Sequence, residues 1–163
     1  MNEVFLSLGT NIGDRMLNLN KAKDLIALEV GEVVDVSGVY ETPPLGFVSE
    51  SFFYNICIKV HTKLSLEKLL VITQEIEKKT GRKTKTITGR YESRVIDIDI
   101  IFYNDLIFKS EDLMVPHKHF KSRMFVLKPM NDIAPDFIDP ETNNTVGSLM
   151  INCLDDSKIK LIV

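Results

Sequence analysis

A chain of 163 residues is long enough for one domain that buries about 70% of its unfolded surface, and a single domain over residues 1–163 is expected. With 44% hydrophobic residues, 26% charged residues and a formal charge of −3, it lacks the global basic field that marks nucleic-acid binders. No stretch approaches the roughly 20 apolar residues of a membrane span, and "MNEVFLSLGTN" has no basic, apolar leader pattern, so a cytoplasmic protein is expected, with a monomer as the simplest state.

"EVFLSLG" reads as a strand and "TNIGD" as a turn, with Asp14 placed to cap a helix from about Arg15 to Glu29 that stops near Gly31. "VVDVSGVYET" reads as a second strand, "PPLGFVSES" as a loop, and "FFYNICIKVHT" as a third strand with clear alternation. Ser65 opens a second helix whose stripe is Leu66, Leu69, Leu70, Ile72 and Ile76, with Gly81 ending it. "SRVIDIDIIFY" is the fourth strand. Cys57 lies in an apolar run and Cys153 near the end; without C-x-x-C spacing they support neither a disulfide nor zinc, and both are expected as small buried hydrophobes.

The order β-α-β-β-α-β is the ferredoxin-like arrangement, an α+β fold with an antiparallel sheet, both helices on one face and a C-terminal extension. Side chains alternate across a strand. Phe52, Tyr54, Ile56, Ile58 and Val60 then face the helices, while Phe53, Asn55, Cys57, Lys59 and His61 point to an opposite face that can stay open. In the fourth strand Ile96, Ile98, Ile100 and Phe102 share the helix face, and Asp97 and Asp99 share the other with Val95, Ile101 and Tyr103.

Two ionised carboxylates roughly 6.5 to 7 Å apart at their Cα atoms repel unless a cation lies between them. A magnesium site and a solvent-facing strand edge both account for the pair. A second signal precedes it: residues 78–94 hold seven Lys or Arg against one Glu, in a chain whose net charge is negative. The segment from Arg82 to Ser93 reads as a long loop with little to bury, expected to close over a bound triphosphate. Guanidinium groups clamp phosphoryl oxygens while carboxylates hold the bridging metal, the two halves of a nucleoside triphosphate site. Neither a P-loop nor a Rossmann fingerprint is present. "PHKHF" places His117 and His119 near Arg123, more plausible as phosphate donors than as metal ligands.

"SLGTNIGD", "YETPPLG", "FFYN", "EIEKKTGR", "SRVIDIDIIFY" and "VPHKHFKSRMFVLKPMNDIAP" occur in the order found in the 6-hydroxymethyl-7,8-dihydropterin pyrophosphokinase family, and the resemblance runs from about Phe5 to Pro140. It implies a ferredoxin-like enzyme of folate biosynthesis that transfers pyrophosphate from ATP to the pterin hydroxymethyl group and releases AMP. Asp97 and Asp99 resemble the ligands of two magnesium ions. Thr42, Pro44, Leu45, Phe53, Asn55 and Phe125 resemble the pterin pocket, with the two phenylalanines sandwiching the ring. Gln74, Glu77, Arg82, Arg94, Ile100, His117 and Arg123 resemble the ATP-binding set, and Arg82, Arg90 and Arg94 the catalytic cations. The sequence departs from the family where Glu92 and Ser93 replace Gly-Pro before Arg94 and the loop is about two residues longer; Lys83, Thr84 or Lys85 stands where an arginine is usual.

Two rival readings use the same fold. A ferredoxin-like RNA binder needs exposed aromatics on the central strands, where "YNICIKV" and "IDIDIIF" give acidic and aliphatic residues. A regulatory domain would bind small molecules without turning them over.

Overall fold

The computed structural model describes residues 1–43, 51–81 and 95–163. The chain opens with β1 (Asn2–Thr10) and α1 (Arg15–Glu29), continues through β2 (Gly31–Val36), β3 (Tyr40–Thr42) and β4 (Phe53–Thr62) to α2 (Leu66–Lys79), and returns as β5 (Asp97–Tyr103). The main sheet runs β5-β1-β4-β3, with β2 also on β4, and each pairing is antiparallel. A split at Ser37–Val39 divides the expected second strand into β2 and β3. The spatial order of the four expected strands is therefore the fourth, first, third and second, as the ferredoxin-like arrangement requires.

Local chemistry explains the elements. The Asp14 carboxylate accepts the Leu17 N–H at 3.0 Å and caps α1, and the Ser65 hydroxyl accepts the Lys68 N–H at 3.4 Å and caps α2. At Gly31, where β2 meets β4, a Cβ would lie 2.2 Å from the His61 carbonyl oxygen, so no larger residue fits. Buried Leu19, Ala22 and Ile26 of α1 and Leu66, Leu69 and Ile76 of α2 pack onto Leu6, Leu8, Ile56, Ile58, Val60, Ile98 and Ile100. Each such side chain contributes about 1.5–3 kcal/mol by leaving water. Leu70 and Ile72, expected in the α2 stripe, are only partly buried; Thr73 and Glu77 take the fully buried positions.

The second sheet face is not open along its length. After the hairpin β6 (Phe108–Lys109) and β7 (Met114–Val115), α3 (Met124–Ile133) and α4 (Val146–Ile151) cover much of it. Phe5, Cys57, Ile101 and Phe102 pack there against Phe120, Val126, Leu127, Met130 and Val146. The tail adds β8 (Lys160–Leu161) beside β3.

Three expectations about faces change. Leu6 pairs with Ile100 while Phe5 pairs with Phe102, leaving Ile101 as an extra residue in β5. This bulge inverts the alternation: Phe102 joins the α3 side and Tyr103 the α1/α2 side. Phe52 precedes β4 and is 45% exposed, so it belongs to neither packed face. Cys57 is buried as expected, whereas Cys153 is half-buried; both are free thiols.

Candidate active site

Directly paired residues on neighbouring strands share a face, and the register places site residues in rows. Asp97 of β5 pairs with Gly9 of β1, Gly9 pairs with Asn55 of β4, and Asn55 pairs with Tyr40 of β3. The next row is Asp99, Ser7 and Cys57. The roof of α3 and α4 begins at Cys57 in this row and continues over Phe5 and Phe102. With strands about 4.8 Å apart, the Asp97 and Asn55 backbones stand roughly 10 Å from each other across Gly9. A Cβ at Gly9 would come 2.9 Å from Asn55 Oδ1 and 3.7 Å from Phe53 Cδ1. Glycine keeps the floor between the two sides clear.

On the β3/β4 side, Asn55 and Thr42 are each 3% exposed, and Asn55 Nδ2 donates to Thr42 Oγ1 at 2.9 Å. Thr42 also pairs across the sheet with Phe53. The Tyr40 hydroxyl donates to Asp132 of α3, whose oxygens lie 2.8 and 2.9 Å away. Burial first, then the Asp132 carboxylate, pushes the Tyr40 pKa up to about 12, so this tie to α3 stays protonated.

On the β5 side a cleft of about 770 Å³ opens between α2, β5 and residues 110–119. Gln74, Glu77, Asp97, Asp99, Ile100 and His117 all line it, which brings together most of the expected nucleotide set. Glu77 is buried, and one of its oxygens accepts the Ile98 N–H at 2.9 Å, so its carboxylate fixes β5 against α2. Thr10 Oγ1 donates to Val95 O at 2.5 Å and fixes the entry to the same strand.

His117 Nδ1 accepts the His119 backbone N–H at 3.1 Å, leaving Nε2 as the N–H that faces Asp99 Oδ1 at 3.9 Å. Burial first, then the charges of Arg123 and His119, lowers the His117 pKa to about 4 against the upward pull of Asp97. A neutral imidazole therefore faces Asp99, and the contact is not an ion pair at neutral pH. His117 can give one N–H to an anion without bringing a charge.

Arg123 does not line the cleft. It precedes α3, with its guanidinium 5.6 Å from the Phe125 ring centroid. Phe125 is partly buried against the core under α3. Pro44, Leu45, Arg82, Arg90 and Arg94, and with them the expected lid from Arg82 to Ser93, lie outside the described residues. Sequence reasoning missed Thr73, the segment Ser110–Met114 and Lys118 on the cleft wall; the hairpin segment offers only scattered charge and no periodicity to find it by.

Among the described residues no three His, Cys, Asp or Glu side chains cluster as a self-sufficient metal cage. Two carboxylates on one strand face beside a polar cleft nevertheless suit Mg²⁺, which takes one or two carboxylates and completes its shell with water and substrate phosphates.

Fold and site together define an α+β protein of the ferredoxin-like class with a carboxylate-bearing cleft at the β5 edge of its sheet. A family model described as 7,8-dihydro-6-hydroxymethylpterin-pyrophosphokinase (HPPK) matches residues 5–135. The chain belongs to this family. It is 39% identical over 139 residues to the 2-amino-4-hydroxy-6-hydroxymethyldihydropteridine pyrophosphokinase of Porphyromonas gingivalis, covering 85% of this chain and 94% of that one. It is 38% identical over 152 residues to the folic acid synthesis protein fol1 of Pneumocystis carinii, covering 93% of this chain but 20% of that one. The chain thus spans about a fifth of that relative's length. The fold matches Plasmodium falciparum HPPK-DHPS with a TM-score of 0.75 at 20% identity, covering 92% of this chain and 44% of that one.

Proposed function

We propose that this chain transfers the terminal pyrophosphate of ATP to the hydroxymethyl group of 6-hydroxymethyl-7,8-dihydropterin, releasing AMP, as a step of folate biosynthesis. Family membership supports the reaction class, and one observation carries the residue assignment: Asp97, Gly9 and Asn55 form a single row on one sheet face, with the large cleft on the Asp97 side. The row has room for two reactants that meet over Gly9.

In the reaction the pterin hydroxyl oxygen bonds to the β-phosphorus, the bond from that phosphorus to the α,β-bridging oxygen breaks, and the hydroxyl proton is lost. Asn55 recognises the pterin edge, because its amide offers both a donor and an acceptor, and the bond to Thr42 holds that amide in one orientation. Phe53 and Phe125 supply π faces for the ring. Gln74 and Ile100 flank the nucleotide, Glu77 holds β5 in place, and His117 offers a neutral N–H to phosphate oxygen. Arg82, Arg90, Arg94 and Arg123 are assigned to the phosphates, where a guanidinium matches the oxygens in a fork. Asp97 and Asp99 would hold two Mg²⁺ ions. Bound there, they would supply charge neutralisation on the triphosphate.

The reading includes a monomer in the cytoplasm, supported by two free thiols that suit a reducing compartment. Incubation with ATP, Mg²⁺ and the hydroxymethyl pterin should give AMP and pyrophosphorylated pterin in equal amounts. Release of ADP, or no pterin product, would overturn the reaction.

A further inference from the structure

Arg15 is the first residue of α1, where the helix dipole disfavours a cation. It is only partly exposed, and its guanidinium reaches three groups on two strand stems. Nη1 is 3.1 Å from Glu41 Oε2 and donates to the Phe52 carbonyl at 2.8 Å, and Cζ stands 3.8 Å over the Tyr54 ring centroid. Glu41 and Tyr54 are cross-strand partners in β3 and β4, so they share one sheet face. The neighbouring pair, Thr42 and Phe53, points to the other face, as Asn55 does.

Arg15 thus holds the residue before Thr42, the residue before Phe53, and the residue between Phe53 and Asn55, from the side opposite to the one those three present. Its contacts bracket both stems of the chain that joins β3 to β4. The Asp97–Asp99 cleft is built from other elements: among the described residues, the side-chain contacts of Arg15 go to Glu41, Phe52 and Tyr54 and not to β5 or α2.

We infer that Arg15 is a positioning residue for pterin recognition: it fixes the spacing and tilt of the β3 and β4 stems, and so the relative placement of Thr42, Phe53 and Asn55. This rests on the pterin assignment proposed above. Glu41, Phe52 O and Tyr54 act as one grip, and the Arg15 guanidinium spans all three. A planar guanidinium can serve a carboxylate, a carbonyl and a ring face together, whereas a lysine ammonium serves fewer of them at once.

The test is calorimetric titration of 6-hydroxymethyl-7,8-dihydropterin into wild type, Arg15→Met and Arg15→Lys, each with Mg²⁺ and a non-hydrolysable ATP analogue. Analogue affinity and thermal midpoint are measured alongside. Arg15→Met should bind pterin about tenfold more weakly, the scale of losing charge-assisted and cation-π contacts at a partly exposed site, with unchanged analogue affinity. Arg15→Lys should recover part of the loss and covers the case in which Arg15→Met fails to fold. Pterin affinity within twofold of wild type in a folded Arg15→Met protein, or equal losses for pterin and analogue in both variants, would overturn the inference. Wild type that binds the analogue but no pterin would instead overturn the assigned substrate.

Discussion

The two ends of the Asp97–Gly9–Asn55 row are built on opposite principles. At the β4 end, Asn55 and Thr42 are buried and bonded to each other before any ligand arrives, and Tyr40 ties the same strands to α3. At the β5 end, two carboxylates share a face beside a large cleft and His117 faces them as a neutral group. On the reading proposed above, the first end recognises by shape and hydrogen bonding, and the second works through cations that its carboxylates would hold. Recognition and chemistry should therefore come apart under mutation.

The largest expected effect breaks the β5 end. Asp97→Asn, and likewise Asp99→Asn, should keep the fold while lowering Mg²⁺-dependent turnover a hundredfold or more, since a metal ligand is worth several kcal/mol of barrier and each 1.36 kcal/mol is about tenfold. Rate measurements across a Mg²⁺ titration read this directly, and near wild-type turnover in a folded Asp97→Asn protein would remove the pair from the chemistry. At the β4 end, Asn55→Ala deletes the amide assigned above to pterin recognition and leaves the buried Thr42 hydroxyl without this partner. A loss of roughly 1–3 kcal/mol is expected in pterin binding and a comparable one in stability, with nucleotide affinity retained. Calorimetry paired with thermal melts separates the two quantities.

Phe53→Ala and Phe125→Ala sharpen the contrast. By analogy with base stacking, each should weaken pterin binding by roughly 1–3 kcal/mol without altering ATP binding; an equal loss for both ligands would mean a general disturbance of the site. The smallest effect concerns support for Phe125. Arg123 precedes α3 but makes no side-chain cap, and Asp155 from the tail accepts the Met124 N–H at 2.8 Å instead. Burial works against ionisation of Asp155, yet hydrogen bonds from Ser157 and Met124 hold its carboxyl below the usual value. The folded pKa is depressed, so this stabilisation is present above the unfolded carboxyl pKa and is lost as pH falls through the folded one. Asp155→Ala should cost about 1 kcal/mol at neutral pH, a shift of about 3 °C in thermal midpoint, and the gap to wild type should close below about pH 4. A gap that stays constant down to pH 2 would remove the cap.

Periodicity in the sequence located Asp97 and Asp99 on one face and set Asn55 on that same face two strands away, because period-2 alternation survives wherever pairing is regular. It failed at Phe102 and Tyr103 because the extra residue Ile101 reverses the phase, and nothing local announces a bulge formed against Phe5 and Leu6. The roof over Phe5 and Cys57 was also hidden. α3 carries Pro129 inside it, which argues against a helix when read locally, and packing of Val126, Leu127 and Met130 outweighs that cost. Arg15 went unnoticed for a similar reason: its partners Glu41, Phe52 and Tyr54 lie 26 or more residues away, and a charged residue beside a helix cap reads as ordinary surface.

The most direct test compares Asp97→Asn and Asn55→Ala in one assay, following AMP release against pterin concentration at saturating ATP and Mg²⁺, with pterin Kd measured in parallel. The account predicts that Asp97→Asn lowers kcat with pterin Kd little changed, while Asn55→Ala raises pterin Kd and KM by far more than it lowers kcat. The reverse pattern, or the same fall in both parameters for both variants, would contradict a site divided between a cation-dependent end at β5 and a preformed recognition end at β4.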